Sequence, residues 1–100
     1  MKILLKGKEI KDLDGRSFDP PVDMAEVVST SLVKRTDGDS IKLYEMALRL
    51  RAGEVDLDSS DLELLESTVK SDQTLTALAK GQILLEIKRQ KDLAGIKRDF

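Results

Sequence analysis

No cysteine and no histidine occur in these 100 residues. The first absence removes disulfides, thiolate nucleophiles and thiolate-bound metals together. The second removes the usual general base near neutral pH and the commonest metal ligand. Aromatic side chains are nearly missing too, with only Phe18, Tyr44 and Phe100 present. That argues against stacking platforms for single-stranded nucleic acid or sugars. The glycines are isolated from one another, so no phosphate-cradling loop is spelled out. No apolar run is long enough to cross a membrane, and the one in "MKILLKGKEI" is too short for a signal peptide. The default expectation is a cytoplasmic protein without a membrane partner.

What is present is Leu, Ile and Val in quantity. The chain is 40% hydrophobic and 36% charged, which suits one small soluble domain with a modest core. The net charge of −2 is unevenly spread. From Lys88 onward, Lys88, Arg89, Lys91, Lys97 and Arg98 outnumber Asp92 and Asp99, so an acidic body carries a basic end. The expected organisation is a single domain over residues 1–91 and a basic tail over 92–100, with Leu93, Ile96 and Phe100 as its possible anchors.

The N-terminal third reads as β structure. Short strands are expected at Lys2–Leu5 and Glu9–Leu13, with a tight turn at Asp14-Gly15 leading into Arg16–Phe18. Pro20-Pro21 is expected to end this hairpin, since neither proline can donate to a ladder. From Asp23 the spacing becomes helical. Met24, Val27, Val28, Ser31 and Leu32 share a face, and Asp23 with Glu26 fits a capping box. A second helix starts near Asp39 or Ser40. Ile41, Tyr44, Ala47 and Leu48 form one stripe, with Leu43, Met46 and Leu50 beside it, and Gly53 is the expected C-cap.

The stretch "EVDLDSSDLELLES" (Glu54–Ser67) is densely acidic. As a calcium loop starting at Asp56 it fails, because Asp61 stands where the sharp-turn glycine belongs and Ser67 where the bidentate glutamate belongs. "TDGDS" fails as well, with Ile41 at a ligand position. The simpler reading is structural: Val55 and Leu57 form a short strand, Asp58 caps a helix, and Leu57 with Leu62 makes a hydrophobic staple. Leu62, Leu65 and Val69 continue that helix until "KSDQT" breaks it. A fourth helix over about Leu75–Lys91 is apolar round much of its circumference. Leu78, Ile83, Leu84, Leu85 and Ile87 are therefore the candidate partner-binding residues. Gly81 inside it suggests a close helix crossing or simple tolerance.

Chemistry finds little support. Ser31 precedes Lys34 by three residues, but on an amphipathic helix that spacing reads as coincidence. No catalytic, cofactor-binding or metal-ligating residue is assigned, and the expectation is a protein that is not an enzyme. A helix-turn-helix reading would aim Gln73, Thr74, Thr76 and Lys80 at bases, with Lys80, Lys88, Arg89, Lys91, Lys97 and Arg98 on the phosphates. The apolar character of that helix and the acids Glu63 and Glu66 weigh against it.

Four stretches, "KDLDGRSF", "AEVVSTSLV", "DGDSIKLYEMALRL" and "GEVDLDSSDLELLESTV", follow one another in an order and spacing that resembles small proteins encoded in tailed-phage and prophage genomes. The resemblance spans about residues 1–70 and rests on apolar and turn positions, so no functional residue transfers with it. It implies an assembly, regulatory or host-modulating role exercised by binding. The resulting expectation is an α+β, mostly α domain: an N-terminal hairpin, with a third strand near residues 54–57, on about four helices. Its expected role is that of a phage-type accessory protein acting by protein–protein contact, as a homo-oligomer in the host cytoplasm. A nucleic-acid-binding regulator and a structural virion component are the alternatives.

Overall fold

The computed structural model describes residues 1–98, with side chains described as far as Ala94. The order is β1 (Lys2–Ile3), β2 (Glu9–Lys11), β3 (Ser17–Asp23), α1 (Met24–Val33), α2 (Ser40–Ala52), β4 (Val55–Asp56), α3 (Ser59–Ser71) and α4 (Ala77–Arg98). The α+β, mostly α class is as expected. The radius of gyration is 13.5 Å, close to the ~13 Å of a compact domain of this length.

The β part is divided differently from the expectation. β2 and β3 form the hairpin, while β1 pairs antiparallel with β4, Ile3 opposite Val55. The turn at Asp14-Gly15 forms because the Asp12 carboxylate accepts from the backbone N–H groups of Asp14 and Arg16, each at 2.9 Å. Gly15 supplies the positive φ of 80° that this turn requires. Pro20 and Pro21 do not end β3, which runs on to Asp23. They lie in an irregular stretch between the Ile10–Val22 and Lys11–Ser17 pairs, where no ladder bond is asked of them.

Local capping sets the helix starts. Asp23, Asp39 and Asp58 each accept a backbone N–H three residues on, from Glu26, Lys42 and Asp61. Asp23 also accepts from Gly7 N–H at 2.7 Å, which ties the β1–β2 loop to the entry of α1. Gly53 caps α2 as expected, its N–H donating to the Arg49 carbonyl at 3.2 Å. The core is one continuous cluster drawn from every layer: Ile3 and Ile10, Val28 and Leu32, Leu43 and Leu50, Val55, Leu65 and Val69, Ile83 and Ile87.

α4 is continuous from Ala77 to Arg98, so residues 92–98 of the expected basic tail are helical. The side chain of Ile96, and Phe100 altogether, lie outside the described residues. A β-carbon on Gly81 would meet no atom within 4 Å, so no close helix crossing explains that glycine.

Two glutamines attach α4 to the β part. Gln82 accepts from Lys11 N–H (2.8 Å) and donates to the Lys11 carbonyl (2.6 Å). Gln90 does the same with Leu4, at 2.9 and 2.7 Å. Each side-chain amide takes the place of a peptide group in a neighbouring strand. Gln82→Ala and Gln90→Ala are each expected to lower stability by about 1–2 kcal/mol, because both partners of a peptide unit lose their bonds at once. Urea unfolding of the single and double variants measures this. Losses near zero would mean that water replaces the amides without penalty.

Candidate functional site

A cluster of exposed apolar side chains lies on α1 and α2. Val33 is 53% exposed, Ile41 71%, Tyr44 59% and Leu48 52%. Ile41, Tyr44 and Leu48 follow i, i+3, i+7 spacing and so form one stripe along α2. Val33, Tyr44 and Leu48 line a groove of about 200 Å³ between the two helices, over Ala47. At its end Arg51 Nε donates to the buried Ser29 hydroxyl at 2.7 Å, and that hydroxyl donates to the Glu26 carbonyl at 3.0 Å. The groove therefore has a fixed polar end and apolar walls.

Of the two adjoining stripes on α2, the one that faces the core is that of Leu43, Met46 and Leu50, together with Ala47. The arc they span contains no charged residue, whereas Glu45 lies beside Ile41 and Leu48 on the helix surface. The arc from Ala47 through Tyr44 to Ile41 contains Arg51, so burying it would have taken a guanidinium towards the core.

α4, the helix expected to carry the partner surface, is largely committed to the interior. Ile83 and Ile87 are fully buried, Leu78 and Leu84 are half-buried, and only Leu85 stands out, at 66%. Among the basic residues proposed for an anionic surface, Lys80 donates to the Lys70 carbonyl (2.9 Å), Arg89 pairs with Glu86 (2.6 Å) and Lys91 with Glu66 (2.9 Å). Their arrangement links α4 to α3 and to itself. Lys88 is exposed, and the side chains of Lys97 and Arg98 lie outside the described residues. Thr74, expected to reach for bases, is instead held in the α3–α4 turn.

A polar depression of about 420 Å³ lies where the end of α1 meets the α3–α4 turn. Asp72 is its organising group. One carboxylate oxygen accepts from the Ser31 hydroxyl (2.6 Å) and lies 3.2 Å from Lys34 Nζ. The other accepts from the Thr74 backbone N–H (2.9 Å) and hydroxyl (2.6 Å). The Ser31 and Thr74 hydroxyl bonds hold this carboxyl far below the usual range, against the opposing effect of burial. Beside it the Arg35 guanidinium is bonded to Asp37 and to the buried Thr68 hydroxyl. Ser31 and Lys34 do converge, then, but on a carboxylate. An ion-paired ammonium has no lone pair with which to activate a serine.

The acids of Glu54–Ser67 have structural roles. Asp58 caps α3, and its carboxyl is lowered by the Asp61 backbone N–H and the Ser60 hydroxyl. Asp61 pairs with Lys42 at 2.8 Å and Glu66 with Lys91. Among the described residues no helix is long and apolar enough to cross a membrane. No family model, curated protein or solved structure matches this chain.

Proposed function

We propose that this chain is a non-enzymatic accessory protein of the phage type that acts by protein–protein contact, and that the α1–α2 face is where it does so. The carrying observation is the four-residue apolar patch of Val33, Ile41, Tyr44 and Leu48, left exposed although the domain has a complete core. Apolar patches gathered on one face and rimmed by charge are the signature of an interaction site, whereas single exposed residues need no explanation. Tyr44 sits within the patch, and half-exposed tyrosines on apolar faces are preferred anchors at interfaces. Several charged side chains on the other faces are taken up in capping, ion pairs and helix-to-helix links, which favours this face as the candidate for binding.

A photoreactive benzophenone side chain placed at position 44, and at Glu63 as an exposed control, tests this in the cells that encode the protein. The expected result is a discrete cross-linked species from position 44 that position 63 does not give. Absence of any discrete adduct from position 44 would overturn the reading.

A further inference from the structure

Glycine at position 38 is demanded by the backbone, and it creates a chemically weak linkage. Gly38 has a φ of 83°, which L side chains rarely adopt, in the loop that joins α1 to α2. Asp37 precedes it. Aspartyl linkages isomerise most readily before glycine, which has no side chain to shield its nitrogen. The chain holds no asparagine and one other linkage of this kind, Asp14-Gly15. We infer that Asp37-Gly38 is a site of spontaneous isoaspartate formation and that Arg35 protects it by holding the Asp37 carboxylate. The inference is independent of the binding reading above.

The reaction is intramolecular. The Gly38 nitrogen attacks the Asp37 side-chain carboxyl carbon, and an N–C bond forms as a carboxyl C–O bond breaks. The carboxyl hydroxyl leaves with the N–H proton as water, and a five-membered imide remains. Water then cleaves one of the two N–C bonds of the ring. Cleavage at the side-chain carbonyl restores Asp37. Cleavage at the main-chain carbonyl leaves an isoaspartyl residue, with one more carbon in the backbone. One water leaves, one returns, and nothing is oxidised or reduced.

The two linkages are restrained in different ways. At Asp14-Gly15 the backbone is held, with Gly15 N–H donating to the Asp12 carbonyl and Asp12 N–H to the Arg16 carbonyl, each at 3.0 Å. The nitrogen that would attack is itself bonded. Among the described residues, no group accepts from the Gly38 N–H. The restraint there falls on the carboxylate, whose two oxygens accept from Arg35 Nε and Nη2 at 3.0 and 2.9 Å. Arg35 is fixed in turn, since its Nη1 donates at 2.9 Å to the hydroxyl of the buried Thr68. The Arg35 bonds also hold the carboxyl below its ordinary range, which makes the acid form that closes the ring rarer. A bidentate pair on an anchored guanidinium is the geometry in which an exposed ion pair has a measurable effect.

The full chain and an Arg35→Met variant are aged side by side at neutral pH and digested with trypsin. Cleavage after Lys11, Arg16, Arg35 and Lys42 separates residues 12–16 from 36–42, and in the variant cleavage after Lys34 gives residues 35–42. Isoaspartyl peptides keep their mass, so chromatography resolves them and electron-transfer fragmentation locates the altered residue. Arg35→Met is expected to isomerise at position 37 about threefold to fivefold faster than the natural chain, with position 14 unchanged. Thr68 keeps its bond to the Leu64 carbonyl in that variant, and circular dichroism checks that the helices persist. Thr68→Val, which removes only the anchor, should give a smaller rise and replaces Arg35→Met if that variant fails to fold. An unchanged rate at position 37 would overturn the inference. An equal rise at positions 14 and 37 would overturn it too, because general loosening would then be the cause.

Discussion

Ile83→Ala is expected to lower the unfolding free energy by about 2–5 kcal/mol, the range for truncating a buried aliphatic side chain whose surroundings relax only partly. Ile83 is completely enclosed, between the helices and the strands that share the core. The companion variant Leu85→Ala removes an apolar side chain of the same size from the same helix, yet should change stability by less than about 0.5 kcal/mol because Leu85 is exposed. Urea unfolding monitored by circular dichroism measures both. Equal small effects would place the apolar side of α4 on the surface, and a partner for that helix would again be the better reading. Unequal effects, with Ile83 dominant, confine α4 to the core and leave α2 to make the outside contact.

Asp72→Ala is expected to cost about 2–3 kcal/mol, because the Ser31 hydroxyl, the Lys34 ammonium and the Thr74 hydroxyl all lose a charged partner and Ser31 is buried. The same carboxylate gives stability a pH dependence of definite sign. Its folded pKa is depressed, so its contribution is complete above the ordinary carboxyl value of about 4 and is lost as pH falls below that value towards the folded one. Asp72→Asn should therefore lower the urea midpoint at pH 7 and narrow the gap to wild type as the solution is acidified below about pH 4. Some acid sensitivity will remain in the variant, since Asp37, Asp58 and Glu86 are also depressed, mainly by bonds to Arg35, to the Asp61 backbone and to Arg89. A constant gap from pH 7 to pH 2 would show that Asp72 titrates normally in the folded protein.

Much of the local structure was legible because its causes are local. A capping carboxylate acts on a backbone N–H three residues away, so Asp23, Asp39 and Asp58 announce their helices without any knowledge of the tertiary fold. The Asp14-Gly15 turn is local in the same sense. What was not legible depends on distant partners. A strand near residues 54–57 is expected to join the N-terminal β part, but nothing near Lys2 indicates that it will lie opposite Asp56. Pro20-Pro21 was read as a terminus because an irregular register, which excuses prolines from the ladder, is a property of the pair of strands.

The candidate surface shows the same division. The apolar residues of α2 are all legible, but they form two adjoining stripes, and periodicity alone does not say which of them faces the core. The deciding residue is Arg51, whose charge falls within the arc of Ala47, Tyr44 and Leu48 and outside that of Leu43, Met46, Ala47 and Leu50. Counting charges within each arc would have found the answer. Gln82 and Gln90 gave a fainter signal, two amides eight residues apart in a helix otherwise read for its apolar content. Asp72 gave none, since the groups that bind it most strongly from elsewhere in the fold, Ser31 and Lys34, come from a helix forty residues earlier.

The glutamine attachments also bear on how the protein is made. Leu4 precedes Gln90 by 86 residues, and Lys11 precedes Gln82 by 71. At usual rates of translation the N-terminal strands wait roughly 5–15 seconds before the helix that covers their outer peptide groups has been synthesised. Throughout that interval they present unpaired edges on which another nascent chain can add a strand. The last helix closes that opening, so a ribosome that stalls before Gln82 leaves behind a product primed for aggregation.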